Sequence, residues 1–272
     1  MNRPFNEAKY KALLEGLEVK EYKLSEILID NSPFRIDSTF FNKKAIITDE
    51  KIKKLNHFYL KNNEVVSGPF GSTLKSSSYL NSGVPFIRIE NIKGGFEISK
   101  NKLIYISEYD NDRLKNSQLF IDDIVLSKVG NTIGYYARVD EELKRCNISE
   151  NNIGIKLTNY RIESKHYMLV YFNSKFGKLL TIRRISGNAQ PKLNVSDITK
   201  IPIPIFSNNF ENKISYFIVY SRKQKFQSIN KYTQAEEILL KELGLKNFEP
   251  NNEPVNIKSF KESFLATGRL DA

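Results

Sequence analysis

Cysteine and histidine are almost missing from this 272-residue chain, which holds one Cys (Cys146), two His (His57 and His166) and no Trp. A single thiol excludes an internal disulfide, and so few soft ligands exclude a Cys/His zinc cluster. A reducing compartment follows. Nothing approaches the ~20 consecutive apolar residues that span a bilayer. The opening MNRPFNEAKYKALLEGLEV lacks the apolar core of a signal peptide, so the cytoplasm is the expected location, with no membrane partner. Catalytic motifs are missing as well. No Gly-rich strand-to-helix loop suits S-adenosylmethionine or a dinucleotide, no Walker A sequence occurs, and no Asn/Asp-Pro-Pro-aromatic tetrapeptide is present. Asp122 and Asp123 precede Lys128, but the carboxylate a metal-dependent nuclease needs two residues before its lysine is replaced by Leu126. The pair therefore reads as a turn before a strand. Neither His sits in a nucleophile elbow; His166 is expected at the start of a helix, capping it or solvated. The expectation is a non-catalytic protein with no cofactor and no metal.

What the chain has in quantity is positive charge: 42 Lys and Arg against 31 Asp and Glu, a net +11 and a pI near 9.4. Such a balance attracts polyanions. The excess is uneven, because residues 161–200 carry eight basic side chains (Arg161, Lys165, Lys175, Lys178, Arg183, Arg184, Lys192, Lys200) and two acidic ones (Glu163, Asp197). A basic face is expected there, the plain alternative being a solvated lysine-rich surface.

Apolar periodicity divides the chain into parts. Residues 1–60 carry a short amphipathic helix, with Tyr10, Leu13, Leu14 and Leu17 on one face, and a second helix from Asp49 toward Tyr59. Residues 61–206 are strand-rich, with short β-type runs at 84–92, 103–106, 124–129, 135–139 and 153–157 between Gly, Asn and Asp. One helix, 166–185, interrupts them, with Leu169, Phe172, Phe176, Leu179 and Leu180 as its apolar face and Lys175, Lys178, Arg183 and Arg184 as its basic face. Gly187-Asn188-Ala189-Gln190-Pro191 is turn chemistry, and Ile201-Pro202-Ile203-Pro204-Ile205 fits only an edge strand or an extended segment. Residues 207–246 then form a long helix. Its stripe, which includes Ile214, Ile218, Ile229, Tyr232, Leu239 and Leu243, is interrupted by Ser221 and Lys225, so it is built to pack against another helix.

Three segments in order resemble a target-recognition domain from the specificity (S) subunit of type I restriction-modification enzymes. They are Ser67-Gly68-Pro69-Phe70-Gly71-Ser72 leading to the run at 83–92, the run 123–134, and the 185–206 stretch ahead of the long helix. The fold the resemblance implies is α+β: a strand-rich recognition domain with one or more packed helices, followed by a coiled-coil-like spacer helix. The function it implies is sequence-specific recognition of double-stranded DNA for a separate adenine methyltransferase (M) subunit, and for a restriction (R) subunit where present. Bases would be read by Arg88, Glu90 and Asn91, by Asn131 and Tyr135, and by Asn188, Gln190 and Lys192. Lys75, Lys128, Arg183 and Arg184 would grip phosphates. For each of these the alternative is a turn residue bonded to its own backbone. The helices at 1–20 and 211–245 would carry protein partners.

The two ends of the chain also resemble each other. Leu13-Leu14-Glu15-Gly16-Leu17 precedes Phe34-Arg35-Ile36-Asp37-Ser38, much as Leu239-Leu240-Lys241-Glu242-Leu243 precedes Gly268-Arg269-Leu270-Asp271-Ala272. Residues 247–272 are thus expected to begin a second repeat or to form a tail, and the chain to be half of a two-domain subunit. A homodimer through antiparallel long helices would complete it. The competing class is a non-catalytic interaction module or recognition appendage whose basic face meets RNA or an acidic protein.

Overall fold

The computed structural model describes residues 5–16, 23, 25, 35, 37–71, 73–187, 190–246, 259, 261, 264, 265 and 268. Asn188 and part of the matched terminal segments, namely Leu17, Phe34, Ile36 and 269–272, lie outside the described residues. The chain divides into two compact units, Met1–Val219 and Tyr220–Ala272.

In the first unit, helix α1 (Glu7–Leu14) starts at Asn6, whose side chain accepts the Lys9 N–H at 2.9 Å. It buries no residue; Tyr10 and Leu13 of the expected apolar face are exposed. Helix α2 spans Lys43–Lys53 rather than beginning at Asp49, because Asn42 accepts the Ala45 N–H at 3.1 Å and supplies an earlier N-cap. Strand β1 (His57–Phe58) pairs antiparallel with β11 (Ile203–Pro204) in a two-stranded ribbon. Every strand of a two-stranded sheet is an edge, which is where a proline can sit.

Two larger sheets carry the rest. One has five strands in the order β2 (Val65–Ser67), β10 (Asn152–Ile155), β7 (Ile124–Ser127), β8 (Tyr136–Arg138), β4 (Phe96–Glu97). The other has four, in the order β5 (Ile104–Ile106), β3 (Val84–Ile87), β9 (Arg145–Ile148), β6 (Gln118–Phe120), with the short helix α3 (Glu108–Arg113) leading toward β6. The pairs β3–β9 and β4–β8 are parallel and the others antiparallel. Both faces of the five-stranded sheet are covered, so its strands read as continuous apolar runs. From β7, Ile124 and Leu126 join Met168, Leu169, Phe172 and Leu180 on the helical side, while Val125 joins Ile87, Leu119 and Ile148 on the side of the second sheet. At Gly154 in β10 the sheets approach so closely that a Cβ would lie 2.7 Å from Leu119 Cδ2.

The helical layer contains two helices where one is expected, α4 (Ile162–Asn173) and α5 (Lys175–Arg184). The break lies at Ser174, whose backbone is extended (φ −66°, ψ 163°) and whose Oγ accepts the Gly177 N–H at 3.2 Å. Restarting the helix changes its facing. Phe176 is 56% exposed instead of lying on the apolar face, and Arg183 and Arg184 of the expected basic face are buried.

After α6 (Val195–Ile198), the long helix α7 spans Asn208–Glu242. Its first turns are tied to α4: Arg161 Nη1 donates to Asn208 Oδ1 (2.7 Å), Ser164 Oγ to Glu211 Oε2 (2.7 Å), and His166 Nδ1 bonds Ser215 Oγ (2.8 Å). His166 is therefore neither a cap nor solvated; it is 2% exposed, and its Nε2 lies 3.7 Å from Asp122 Oδ1. That carboxylate also receives Arg138 Nη1 at 2.7 Å. Asp122 and Asp123 do form the expected turn, Asp122 at φ 66°. Beside these helices, Ile47, Leu55, Val170, Phe176, Phe206 and Phe210 line an apolar cleft of about 430 Å³. In the second unit the side chains of Ile229, Tyr232, Leu239 and Leu243 are 56% to 74% exposed. Gly244, at φ 69°, follows the last turn, and the Leu245 N–H returns to the Leu240 carbonyl at 2.8 Å. Among the described residues no helix is long and apolar enough to cross a membrane, and no three His, Cys, Asp or Glu gather as a metal site.

Candidate nucleic-acid interface

Strands β2 and β7 end, and β10 and β8 begin, at the same edge of the five-stranded sheet, and parallel strands β3 and β9 end beside them. Segments far apart in sequence therefore meet in one rim. Lys128 N–H bonds the Asn151 carbonyl (2.9 Å), Leu193 N–H bonds the Lys128 carbonyl (2.9 Å), and Gly68 N–H bonds the Asn152 carbonyl (3.3 Å). Ser149 N–H bonds the Ile87 carbonyl (2.9 Å), and Ser186 and Lys192 exchange both backbone bonds (3.0 and 2.8 Å). A Cβ on Gly130 would sit 3.6 Å from Ile89 Cδ1, so the 130–134 loop touches the turn after β3. All three segments that carry the S-subunit resemblance contribute to this rim.

The expected site residues separate into two groups here. Lys75, Glu90, Asn131, Gln190 and Lys192 are exposed, and Arg88, Lys128 and Tyr135 half-buried. Lys128 Nζ reaches Ser67 Oγ at 3.5 Å, Arg88 pairs with Glu90, and Lys178 Nζ stands 5.3 Å from the Tyr135 ring centroid. Asn91 is different. It is fully buried, accepting the Arg88 N–H (3.0 Å) and donating to the Ser99 and Asn101 carbonyls (3.0 and 3.3 Å), so its polar groups are spent on shaping the turn.

Arg183 and Arg184 are the second correction, since they lie in the helical layer at 8% and 5% exposure. Arg183 donates from Nε to the Phe40 carbonyl (2.8 Å) and from Nη1 to Asp49 Oδ2 (3.0 Å), with its guanidinium 4.7 Å from the Phe40 ring. Arg184 Nη2 donates to the Lys200 carbonyl at 3.2 Å. Bonded inward, Arg183 braces α5 against α2 and the chain before it, and Arg184 ties α5 to the segment after α6, rather than facing a phosphate.

Acid–base chemistry is concentrated away from the rim, at the Asp122–Asp123 turn. Burial raises the Asp122 carboxyl, but His166 and Arg138 outweigh it and hold the group below the usual carboxylate value. For Asp123 burial prevails over the Leu157 and Phe120 N–H bonds (2.7 and 2.8 Å), and the group is raised. Asp122 and Asp123 are 9% and 1% exposed, and their bonds run to groups of the fold itself.

Sequence reasoning missed one cluster on the rim: Phe70, 83% exposed at a turn tip, above a cleft that Tyr79, Glu150 and Asn151 also line. The signal was available in Gly68-Pro69-Phe70-Gly71, because an aromatic ring held between turn-forming residues cannot reach the core.

No protein-family profile matches the sequence, and no curated protein matches it. Several solved structures resemble it at low identity. The type I restriction-modification S subunit from M. genitalium shares 15% identity at a TM-score of 0.45, over 73% of this chain and 47% of that one. The HsdS subunit from Thermoanaerobacter tengcongensis shares 14% at 0.41, over 76% and 50%. The type IIG restriction endonuclease BpuSI shares 10% at 0.48, over 68% and 29%. This chain thus spans half or less of the length of each of these three structures.

Proposed function

We propose that this chain is a non-catalytic, sequence-specific DNA-recognition subunit of a type I restriction-modification enzyme, directing a separate DNA adenine methyltransferase subunit, and a restriction subunit where the assembly has one. The observation that carries the proposal is the rim: the three segments singled out by sequence lie side by side, presenting amide, cationic and carboxylate side chains together. Each base pair shows its own pattern of donors and acceptors in the major groove, and Arg88, Glu90, Asn131 and Gln190 have the matching chemistry. Lys75 and Lys128 grip phosphates and set register, with no sequence information of their own, and Lys192, expected from the sequence among the base readers, is reassigned in this proposal to the same grip because its exposed ammonium is a point charge. Asn188, in the same final loop, stays among the proposed readers. Residues 61–206 serve as the recognition domain and 207–246 as the spacer.

The proposal includes assembly. Exposed Ile229, Tyr232, Leu239 and Leu243, with half-buried Ile214 and Ile218, form a stripe for a second helix. An antiparallel copy of the same helix would cover it with two-fold symmetry, the commonest closed arrangement. Two recognition domains would then read inverted half-sites. Selection from a randomised duplex pool, with purified chain alone and with its methyltransferase subunit, tests both parts. Two inverted half-sites at a fixed spacing are expected. A single half-site would remove the dimer, and a pool that never enriches would remove DNA recognition.

A further inference from the structure

The loop after β2 holds an aromatic ring in water, and it is held firmly. A Cβ on Gly68 would strike the Ser149 carbonyl, Gly71 N–H is bonded by the Glu150 carboxylate, and Thr73 N–H closes on the Phe70 carbonyl at 2.8 Å. Single exposed apolar residues are ordinary on protein surfaces. Phe70 differs because of what lies beside it: a cleft of about 190 Å³ with Leu74, Tyr79 and Phe86 in its walls and Arg88 and Glu90 among its polar lining. That volume is below the ~300–1,000 Å³ of drug-sized sites and suits one ring system. Arg88 adds a second, independent observation. Its guanidinium lies 5.9 Å from the Tyr79 ring and pairs with Glu90, yet its Nε–H is buried with no hydrogen-bond partner. A buried donor without a partner is costly, and the side chain, 32% exposed, would relieve it by turning toward an acceptor that a ligand brings.

Resting on the DNA-recognition reading, and moving Arg88 and Glu90 from a paired base in the groove to an unstacked one, we propose that this cleft receives one base extracted from the bound duplex, with Phe70 and Tyr79 against its faces and Arg88 and Glu90 at its edge. Aromatic side chains take bases of any sequence by stacking, so selectivity falls to the polar pair. Donors from Arg88 beside a Glu90 acceptor match guanine, whose Watson–Crick edge sets the O6 acceptor beside the N1–H and N2 amino donors. Extracting a base from a paired stack is unfavourable, and least so when the base is already mismatched.

The experiment uses the full chain and its selected duplex, with a fluorescent guanine analogue at each guanine in turn and a mismatch at the same positions. At one position, fluorescence should rise several-fold on binding, and the mismatch there should tighten binding about tenfold. Phe70→Ala should abolish both effects and leave the salt dependence of binding unchanged; Glu90→Gln should change which base is preferred at that position. Binding by the wild-type chain with every position silent would overturn the cleft while keeping the DNA reading, as would Phe70→Ala retaining both effects. Absence of any duplex binding at low salt would overturn both. Guanosine monophosphate alone, binding as tightly as the duplex, would assign the cleft to a free nucleotide and also overturn the proposal.

Discussion

Arg183 and Lys192 lie a few residues apart and carry the same formal charge, yet one closes helix α5 inside the protein and the other stands in solvent on the rim loop. The basic stretch 161–200 is therefore two regions in opposite surroundings. In the helical layer, charge is neutralised internally: Asp49 receives Arg183 at 3.0 Å and Lys53 at 2.9 Å, and Phe40 lies under both arginines. On the rim, Lys75, Lys128 and Lys192 sit on or beside turns whose backbone bonds are already closed, leaving their ammonium groups available to an anion. A count of basic residues measures the field of the whole chain but not where its cations face.

Removing Arg183 breaks this comparison most severely. Arg183→Ala strips the Phe40 carbonyl of its side-chain donor and Asp49 of one cation. Breaking a buried pair from one side costs on the order of 3–5 kcal/mol. Because Lys53 remains beside Asp49, the lower end is expected, read from denaturant midpoints on the full chain. A loss below about 1 kcal/mol, accompanied by weaker DNA binding, would return Arg183 to the interface.

That burial could not be read from the sequence, because the partner that makes it tolerable lies 134 positions away. What was legible is what depends on neighbours in sequence. The five β-type runs matched strands since apolar β-branched residues fill sheets covered on both faces, and the Pro-punctuated segment matched an edge strand. Helix boundaries were less legible: one side-chain cap at Asn42 and another at Ser174 moved a start and divided a helix. The candidate site was legible as three separate loops. Their meeting was not, because it depends on the long-range β2–β10–β7 and β3–β9 pairings, which no periodicity encodes.

A change of intermediate size is expected at the Asp122–Asp123 turn, where pH separates two adjacent carboxyls. Asp122 is held below 3.8, so its ionised form stabilises the fold above that pH, and the contribution disappears as pH falls through the depressed folded value. Asp123 is raised, so its ionisation opposes folding as pH climbs from 3.8 through its elevated value. Asp122→Asn should lower stability at neutral pH by about 2 kcal/mol, as loss of charged hydrogen bonds does. It should also flatten the acid limb below pH 3.8, measured by thermal unfolding across pH. An acid limb as steep as that of the wild type would mean that other carboxylates produce it.

The smallest effect on stability is expected on the rim. Lys192 is exposed, and Lys128 makes only the 3.5 Å approach to Ser67, so Ala at either position should leave unfolding unchanged within about 0.5 kcal/mol. Their effect belongs to binding. Each phosphate contact releases condensed counterions and contributes about 0.9 to the slope of log affinity against log salt. Lys128→Ala and Lys192→Ala should each reduce that slope by roughly one unit, together by roughly two, with the selected sequence unchanged. Arg183→Ala, examined where it remains folded, should keep the full slope. If the lysine variants kept the slope and the arginine variant lost it, the two regions would exchange roles, and the phosphate grip would lie on the helical layer after all.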